Sequence, residues 1–173
     1  MGYSISTGHR QTAIAAENIL LAGGNAVDAA VAALTTSFVA EPCMSGAGAG
    51  GFALVRTPDG NARLYDFFCQ APREKRTRGE TQFIPVVVDF GSAHETFYTG
   101  KGAIAVPGTI HGLFTLHEHL GKLPLKESFQ PAIELARDGV EITVFQKYYI
   151  SLLREILKSH PVGRRIYFEE GRL

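Results

Sequence analysis

The sequence predicts a helix-rich α+β fold, and a few observations carry that expectation. An Ala/Val-rich helix restarts directly after a double glycine, at Ala22-Gly23-Gly24-Asn25-Ala26-Val27-Asp28-Ala29-Ala30. Short apolar runs flank a Pro58-Asp59-Gly60-Asn61 turn. From Pro107 onward, apolar residues recur at helical spacing. At 173 residues with 45% apolar content, the chain can bury a core, and its composition excludes a disordered polymer. Formal net charge is zero, so nothing in the global charge attracts nucleic acid or an anionic membrane.

Ala13 to Leu21 reads as the first helix, ended by Gly23-Gly24 because glycine takes a left-handed cap without steric cost. Asn25 is a good N-cap for the next helix, and Asp28 favours its positive end. This second helix runs to about Val39 and stops at Glu41-Pro42. It is apolar nearly all round, so it must be enclosed, and its small side chains require neighbours to come close. Isolated from its natural surroundings it is expected to expose an apolar patch.

Phe52 to Arg56 and Arg63 to Phe68 read as a hairpin around the 58–61 turn. Arg73 to Gln82 is a polar loop; its cluster Arg73-Glu74-Lys75-Arg76-Thr77-Arg78 carries an internal acid and no aromatics, as a solvated loop does. Phe83 to Phe90 is a further strand, weakened by Pro85, with Thr96 to Val106 as its partner. Helices follow from Pro107 to Leu120, from Pro124 to Arg137 and from Phe145 to Lys158.

Gly46, Gly48 and Gly51 satisfy a G-x-G-x-x-G pattern. The dinucleotide fingerprint needs a strand before the glycines and a helix after them, and here the order is reversed. Close approach of two backbones is the better account of this loop. His117 and His119 lie two residues apart on a helix and point to different sides, unlike the four-residue spacing of helical zinc ligands. His9, His94, His111 and His160 are isolated, as surface or capping residues are. Cys43 and Cys69 have no metal-ligand spacing and read as buried thiols. No metal or other cofactor is expected, and no nucleophile–base pair is visible within the chain.

Several segments in order resemble the large subunit of the gamma-glutamyltransferases. They are Gly8-His9, Ala22 to Ala33, Glu41-Pro42 through Gly51-Phe52, Asp66-Phe67 with Ala71-Pro72, and Val106-Pro107-Gly108-Thr109. Leu120-Gly121-Lys122-Leu123-Pro124, Pro131-Ala132 and Leu135-Ala136-Arg137-Asp138-Gly139 continue the match. The resemblance implies an N-terminal-nucleophile (Ntn) hydrolase with an αββα sandwich. Residues 1–173 would form a single domain fragment of it, the N-terminal region of the large subunit, incomplete without the rest of that subunit and the small subunit. It further implies a precursor that cleaves itself, exposing an N-terminal threonine on the small subunit. That threonine attacks a gamma-glutamyl amide, with its own amine as general base. The nucleophile is absent from these residues, so the chain alone is expected to be inert.

One departure bears on the substrate. The family typically has an arginine after the Asp-Phe or Asp-Gly pair, where it clamps the substrate α-carboxylate. Here Phe68-Cys69-Gln70 occupies that segment, with Phe68 at the arginine's position. The resemblance thus implies substrate-binding roles for Phe68, Cys69 and Gln70 and the superfamily's acyl transfer in glutathione-related metabolism, while Phe68 leaves the acyl group open. A small-molecule amide, the small subunit and a second copy of the chain are the expected partners, with no nucleic acid and no membrane. The start of the chain lacks a basic, then apolar leader, which suggests a cytoplasmic protein or a removed leader. An alternative of a different class is a non-catalytic scaffold or interaction subunit of the same fold.

Overall fold

The computed structural model describes residues 2–77 and 79–168. Its elements run α1 (Arg10–Leu21), α2 (Ala26–Ala40), β1 (Phe52–Arg56), β2 (Ala62–Asp66), β3 (Ile84–Asp89), β4 (His94–Thr99), a 3₁₀ turn (Lys101–Ala103), α3 (Thr109–Leu120), α4 (Leu125–Asp138), α5 (Val144–Leu152), α6 (Arg154–Lys158) and α7 (Pro161–Tyr167). They form two compact units, one of residues 1–70 and 107–141, the other of 71–106 and 142–173.

In the first unit, α1 ends as the double glycine predicts. Gly23 takes φ +92°, its N–H donates to Leu20 O, and the Gly24 N–H donates to Ile19 O. Both bonds satisfy carbonyls that a bare helix end leaves open. A Cβ on Gly24 would meet Ile19 O at 2.8 Å, so the chain turns here with no room for a side chain. Ala15, Ala16 and Ile19 of α1 then pack on Ala29 and Ala32 of α2. The small residues bring the helices together as the composition requires.

Asn25 caps α2, accepting from the Val27 and Asp28 N–H groups, while Asp28 accepts from the Asn25 N–H at 2.8 Å in a capping box. Asp28 does more than favour the helix dipole. It is fully buried, accepts from the backbone N–H groups of Lys122 and Leu123, and has His117 Nε2 3.3 Å away. The Asn25 amide donates to Leu120 O, and Lys122 Nζ donates to Gly23 O. One carboxylate and its neighbours therefore join the end of α1, the start of α2 and the turn between α3 and α4. A buried charge is tolerated when donors surround it in this way.

The hairpin β1–β2 is antiparallel, pairing Phe52 with Asp66, Leu54 with Leu64 and Arg56 with Ala62. Ala53, Val55 and Tyr65 turn to the helices and pack with Val27, Val31, Leu113 and Leu116. Phe52, Leu54 and Leu64 face outward and are exposed. Exposed apolar side chains thus lie on this sheet, and others lie elsewhere in the chain, Leu21, Val144 and Phe145 among them. The outward residues left on α2 are Ala26 and Ala30, too small to make a large patch.

In the second unit, β3 pairs with β4 from Ile84–Thr99 to Asp89–His94. Pro85 is accommodated because a two-stranded sheet consists of edges. The partner strand ends at Thr99 rather than Val106, because Gly100 (φ +95°) turns the chain into the 3₁₀ segment. The single helix expected over 145–158 is divided at Leu153, whose φ of −86° and ψ of 9° leave the helical region, although its N–H still donates to Tyr149 O and its carbonyl accepts from the Leu157 N–H. No glycine or proline marks that break. Helix α7 follows, with His160 accepting from the Val162 N–H and Pro161 at its first position. Of the basic cluster, Arg73 to Thr77 is exposed and Arg78 lies outside the described residues.

Replacing Asp28 with alanine removes the buried acceptor from three partly buried N–H donors, those of Asn25, Lys122 and Leu123, and is expected to lower stability by about 3 kcal/mol. Asp28→Asn keeps an acceptor and should lose roughly 1–3 kcal/mol. Urea denaturation of the two variants against the parent measures both, and equal stability of all three proteins would contradict the role given to Asp28.

Candidate functional site

The residues expected to bind substrate follow β2 directly, and their backbone is fixed by glycines. Phe67 continues the ladder one step past the hairpin: its N–H donates to Gly51 O at 3.0 Å, and the Gly51 N–H donates to Phe67 O at 3.3 Å. The Phe67 side chain is 9% exposed. Cβ atoms added at Gly108 and Gly112 would collide with Phe67, the first with its carbonyl and the second with its ring. The N–H groups of Gly108 and Thr109, at the start of α3, both donate to Ala49 O. The glycine loop, the end of β2 and the first turn of α3 thus meet at one junction.

Beyond Phe67 the chain emerges as Phe68-Cys69-Gln70. The Phe68 N–H donates to Asp66 Oδ1 at 3.0 Å, closing a local turn. A Cβ on Gly50 would collide with the backbone of Phe68 and Cys69. Close approach is thus found at Gly50 and, against the Phe67 ring, at Gly51, whereas Gly46 and Gly48 of the pattern lie open, with nothing within 4 Å of an added Cβ. The Phe68 ring stacks on Phe52 with centroids 5.4 Å apart and planes 12° from parallel. Both rings are outward, at 52% and 57% exposure. Cys69 is half-buried, and Gln70 Nε2 reaches Phe68 O at 3.5 Å. Phe68, Cys69 and Gln70 therefore form one continuous segment. Phe52, its aromatic companion, was missed by sequence reasoning, because a residue opening a strand carries no mark of its ring partner.

The remaining candidates disperse. His117 is turned in toward Asp28, whereas Nδ1 of His119 is 3.3 Å from the Tyr65 hydroxyl. The two histidines point to different partners, as their spacing predicts. His9 caps α1 by accepting from the Gln11 N–H, and His160 caps α7. Cys43 and Cys69 are not joined in a disulfide, and both are half-buried rather than buried. Among the described residues no group of three His, Cys, Asp or Glu side chains comes together as a metal site, and no helix is long and apolar enough to cross a membrane. The clear titration shifts fall elsewhere. Hydrogen bonds from Thr57 and Asn61 hold the Asp59 carboxyl below its usual range, those from Thr77 do so for Glu80, and Glu17 raises the Tyr3 hydroxyl. A cavity of 540 Å³ lies between residues 3–8 and the two first helices, lined by Ala26, Ala30 and Ala33 with Ser37 and Glu41 at one side.

Gly112→Ala places a methyl group inside the Phe67 ring and is expected to cost about 1–3 kcal/mol. Thermal unfolding checks it, and an unchanged melting temperature would contradict the close packing of α3 on Phe67.

Comparison with known proteins agrees with this geometry. A family model described as Gamma-glutamyltranspeptidase matches residues 12–173. The Acylase ACY 1 proenzyme of Pseudomonas sp. (strain SE83) is 37% identical over 145 residues, 82% of this chain and 25% of that protein. The Glutathione hydrolase proenzyme of Escherichia coli (strain K12) is 36% identical over 159 residues, 89% of this chain and 26% of that protein. The crystal structure of Helicobacter pylori gamma-glutamyltranspeptidase matches with a TM-score of 0.82 and 27% identity, over 100% of this chain and 49% of that one. The chain spans about a quarter of the length of these curated relatives and about half of the solved neighbour. Its helices and small sheets are part of the Ntn-hydrolase-type fold of that neighbour, as expected. This chain belongs to the gamma-glutamyltranspeptidase family of enzymes.

Proposed function

We propose that these residues form the N-terminal part of the large subunit of a gamma-glutamyltransferase-like amidohydrolase, with Phe68, Cys69 and Gln70 lining its acyl-binding side. The nucleophile is a threonine on the small subunit, outside this chain. Its hydroxyl oxygen attacks the amide carbonyl while the hydroxyl proton passes to the threonine's own amine. The C–N bond then breaks, the leaving amine takes that proton, and the acyl group stays on the threonine as an ester. Water or an amino acid receives the acyl group in the second half.

The observation that carries this reading is the glycine junction. It holds Phe68-Cys69-Gln70 in one place, at the position where the family resemblance puts an arginine clamp for the substrate α-carboxylate. Phenylalanine offers no donor to a carboxylate, and losing such a charge-assisted pair costs about 1.5–3 kcal/mol. Relatives named as an acylase and as a glutathione hydrolase match at 37% and 36% identity, so family membership alone does not choose the acyl group. Phe68 favours an amide whose acyl part lacks the amino-carboxylate. The 173 residues by themselves should turn over nothing.

Expression of the complete precursor tests the reading. Mass spectrometry should find two chains, the smaller beginning with threonine. Turnover of γ-glutamyl-p-nitroanilide should be slow and should rise in Phe68→Arg by on the order of 10-fold. A precursor that stays intact would remove the Ntn mechanism and favour the scaffold.

A further inference from the structure

We propose that Thr57 and Asn61 guard the Asp59–Gly60 bond, holding in an unreactive form a dipeptide whose own chemistry drives it toward spontaneous isomerisation. The tip of the β1–β2 hairpin is then a latent site of covalent modification, independent of the amidohydrolase reading above.

In an Asp-Gly pair no side chain shields the glycine nitrogen, which can attack the preceding carboxyl carbon. The new C–N bond closes a cyclic imide. A carboxyl oxygen leaves as water, taking the proton of the acid and the proton of the amide nitrogen. Water then adds to the main-chain carbonyl of the ring and breaks its bond to nitrogen. The product is isoaspartate, with the chain running through the side chain and longer by one backbone atom. An ionised carboxylate does not react in this way, because it has no neutral leaving group. The turn cannot simply dispense with the glycine: Gly60 takes φ +88°, where any side chain is strained.

Each requirement of the reaction is blocked here. Asp59 Oδ1 accepts from the Thr57 hydroxyl and the Asn61 N–H, and Oδ2 accepts from the Asn61 side-chain amide. Those bonds, from Thr57 first and Asn61 next, hold the carboxyl below its usual range, so the reactive acid form is scarce at neutral pH. They also tether a group that must swing free to meet the Gly60 nitrogen. That nitrogen is engaged as well, its N–H donating to Thr57 O at 2.9 Å. Thr57 is fixed in turn: its N–H donates to Asn61 O at 2.9 Å, and its hydroxyl reaches the same carbonyl at 3.1 Å. All these partners lie within residues 57–61, so the protection does not depend on what covers the hairpin. An added backbone atom would disturb the turn that sets the pairing of Leu54 with Leu64. The packing of Val55 and Tyr65 with Leu113 and Leu116 would be disturbed with it.

The complete protein, incubated for weeks at neutral pH and physiological temperature, tests the guard. Enzymatic methylation of isoaspartate with peptide mapping reads the extent of reaction at position 59. Isomerisation leaves the mass unchanged, which separates it from deamidation of Asn61. The parent should isomerise about 10-fold or more slowly than a free peptide of residues 54–64. Thr57→Val and Asn61→Ala should each raise the rate by about 3- to 10-fold, whereas Thr57→Ser keeps the hydroxyl and should keep the parent's rate. Should Thr57→Val fail to fold, Asn61→Ala against the parent and Thr57→Ser makes the same comparison. A parent that isomerises as fast as the peptide overturns the guard. So does the parent's rate in the folded Thr57→Val and Asn61→Ala proteins.

Discussion

The position of every residue proposed to touch substrate depends on Phe67 occupying space that missing Cβ atoms leave free. Its ring lies where a side chain on Gly112 would be, its carbonyl lies where one on Gly108 would be, and its backbone pairs with Gly51. Close packing of this kind is intolerant of added volume, because interiors are filled nearly to crystal density. The chain leaving Phe67 then has little freedom. It turns through the Asp66 carboxylate and runs against Gly50, so that Phe68 comes out beside Phe52.

A second constraint keeps that junction in register with the helices behind it. The buried carboxylate of Asp28 gathers N–H groups from two separate segments and faces His117 from a third position, on α3. Helix α3 is thereby fixed at its C-terminal end by Asp28 and at its N-terminal end by Gly108 and Gly112 against Phe67. The hairpin packs Val55 and Tyr65 into the same apolar cluster as Leu113 and Leu116 of that helix. Helix, hairpin and glycine loop thus share one packed framework, as a site that must present a fixed surface requires.

Much of this was legible in the residues. The double glycine, the Asn25 cap and the 58–61 turn are local signals with local causes, and each produced the element expected of it. Helix and strand stood in the wrong order for a phosphate cradle, but the close approach expected of the pattern occurs at Gly50 and Gly51 and not at Gly46 or Gly48. What could not be read were contacts between distant segments. Nothing local marks Asp28 as the acceptor for Lys122 and Leu123, ninety-four and ninety-five residues away. The pairing of Phe52 with Phe68 is hidden for the same reason, and the break at Leu153 lacks any breaker residue. The site residues 68–70 were picked out by a departure from a family pattern, and their geometry had to come from the fold.

The central claim is that the glycine junction around Phe67 presents Phe68 to the substrate. A crystal structure of the complete processed protein tests it most directly. The account expects the Phe68 side chain to face the cavity that holds the new N-terminal threonine. Finding Phe68 sealed away from that threonine would contradict it.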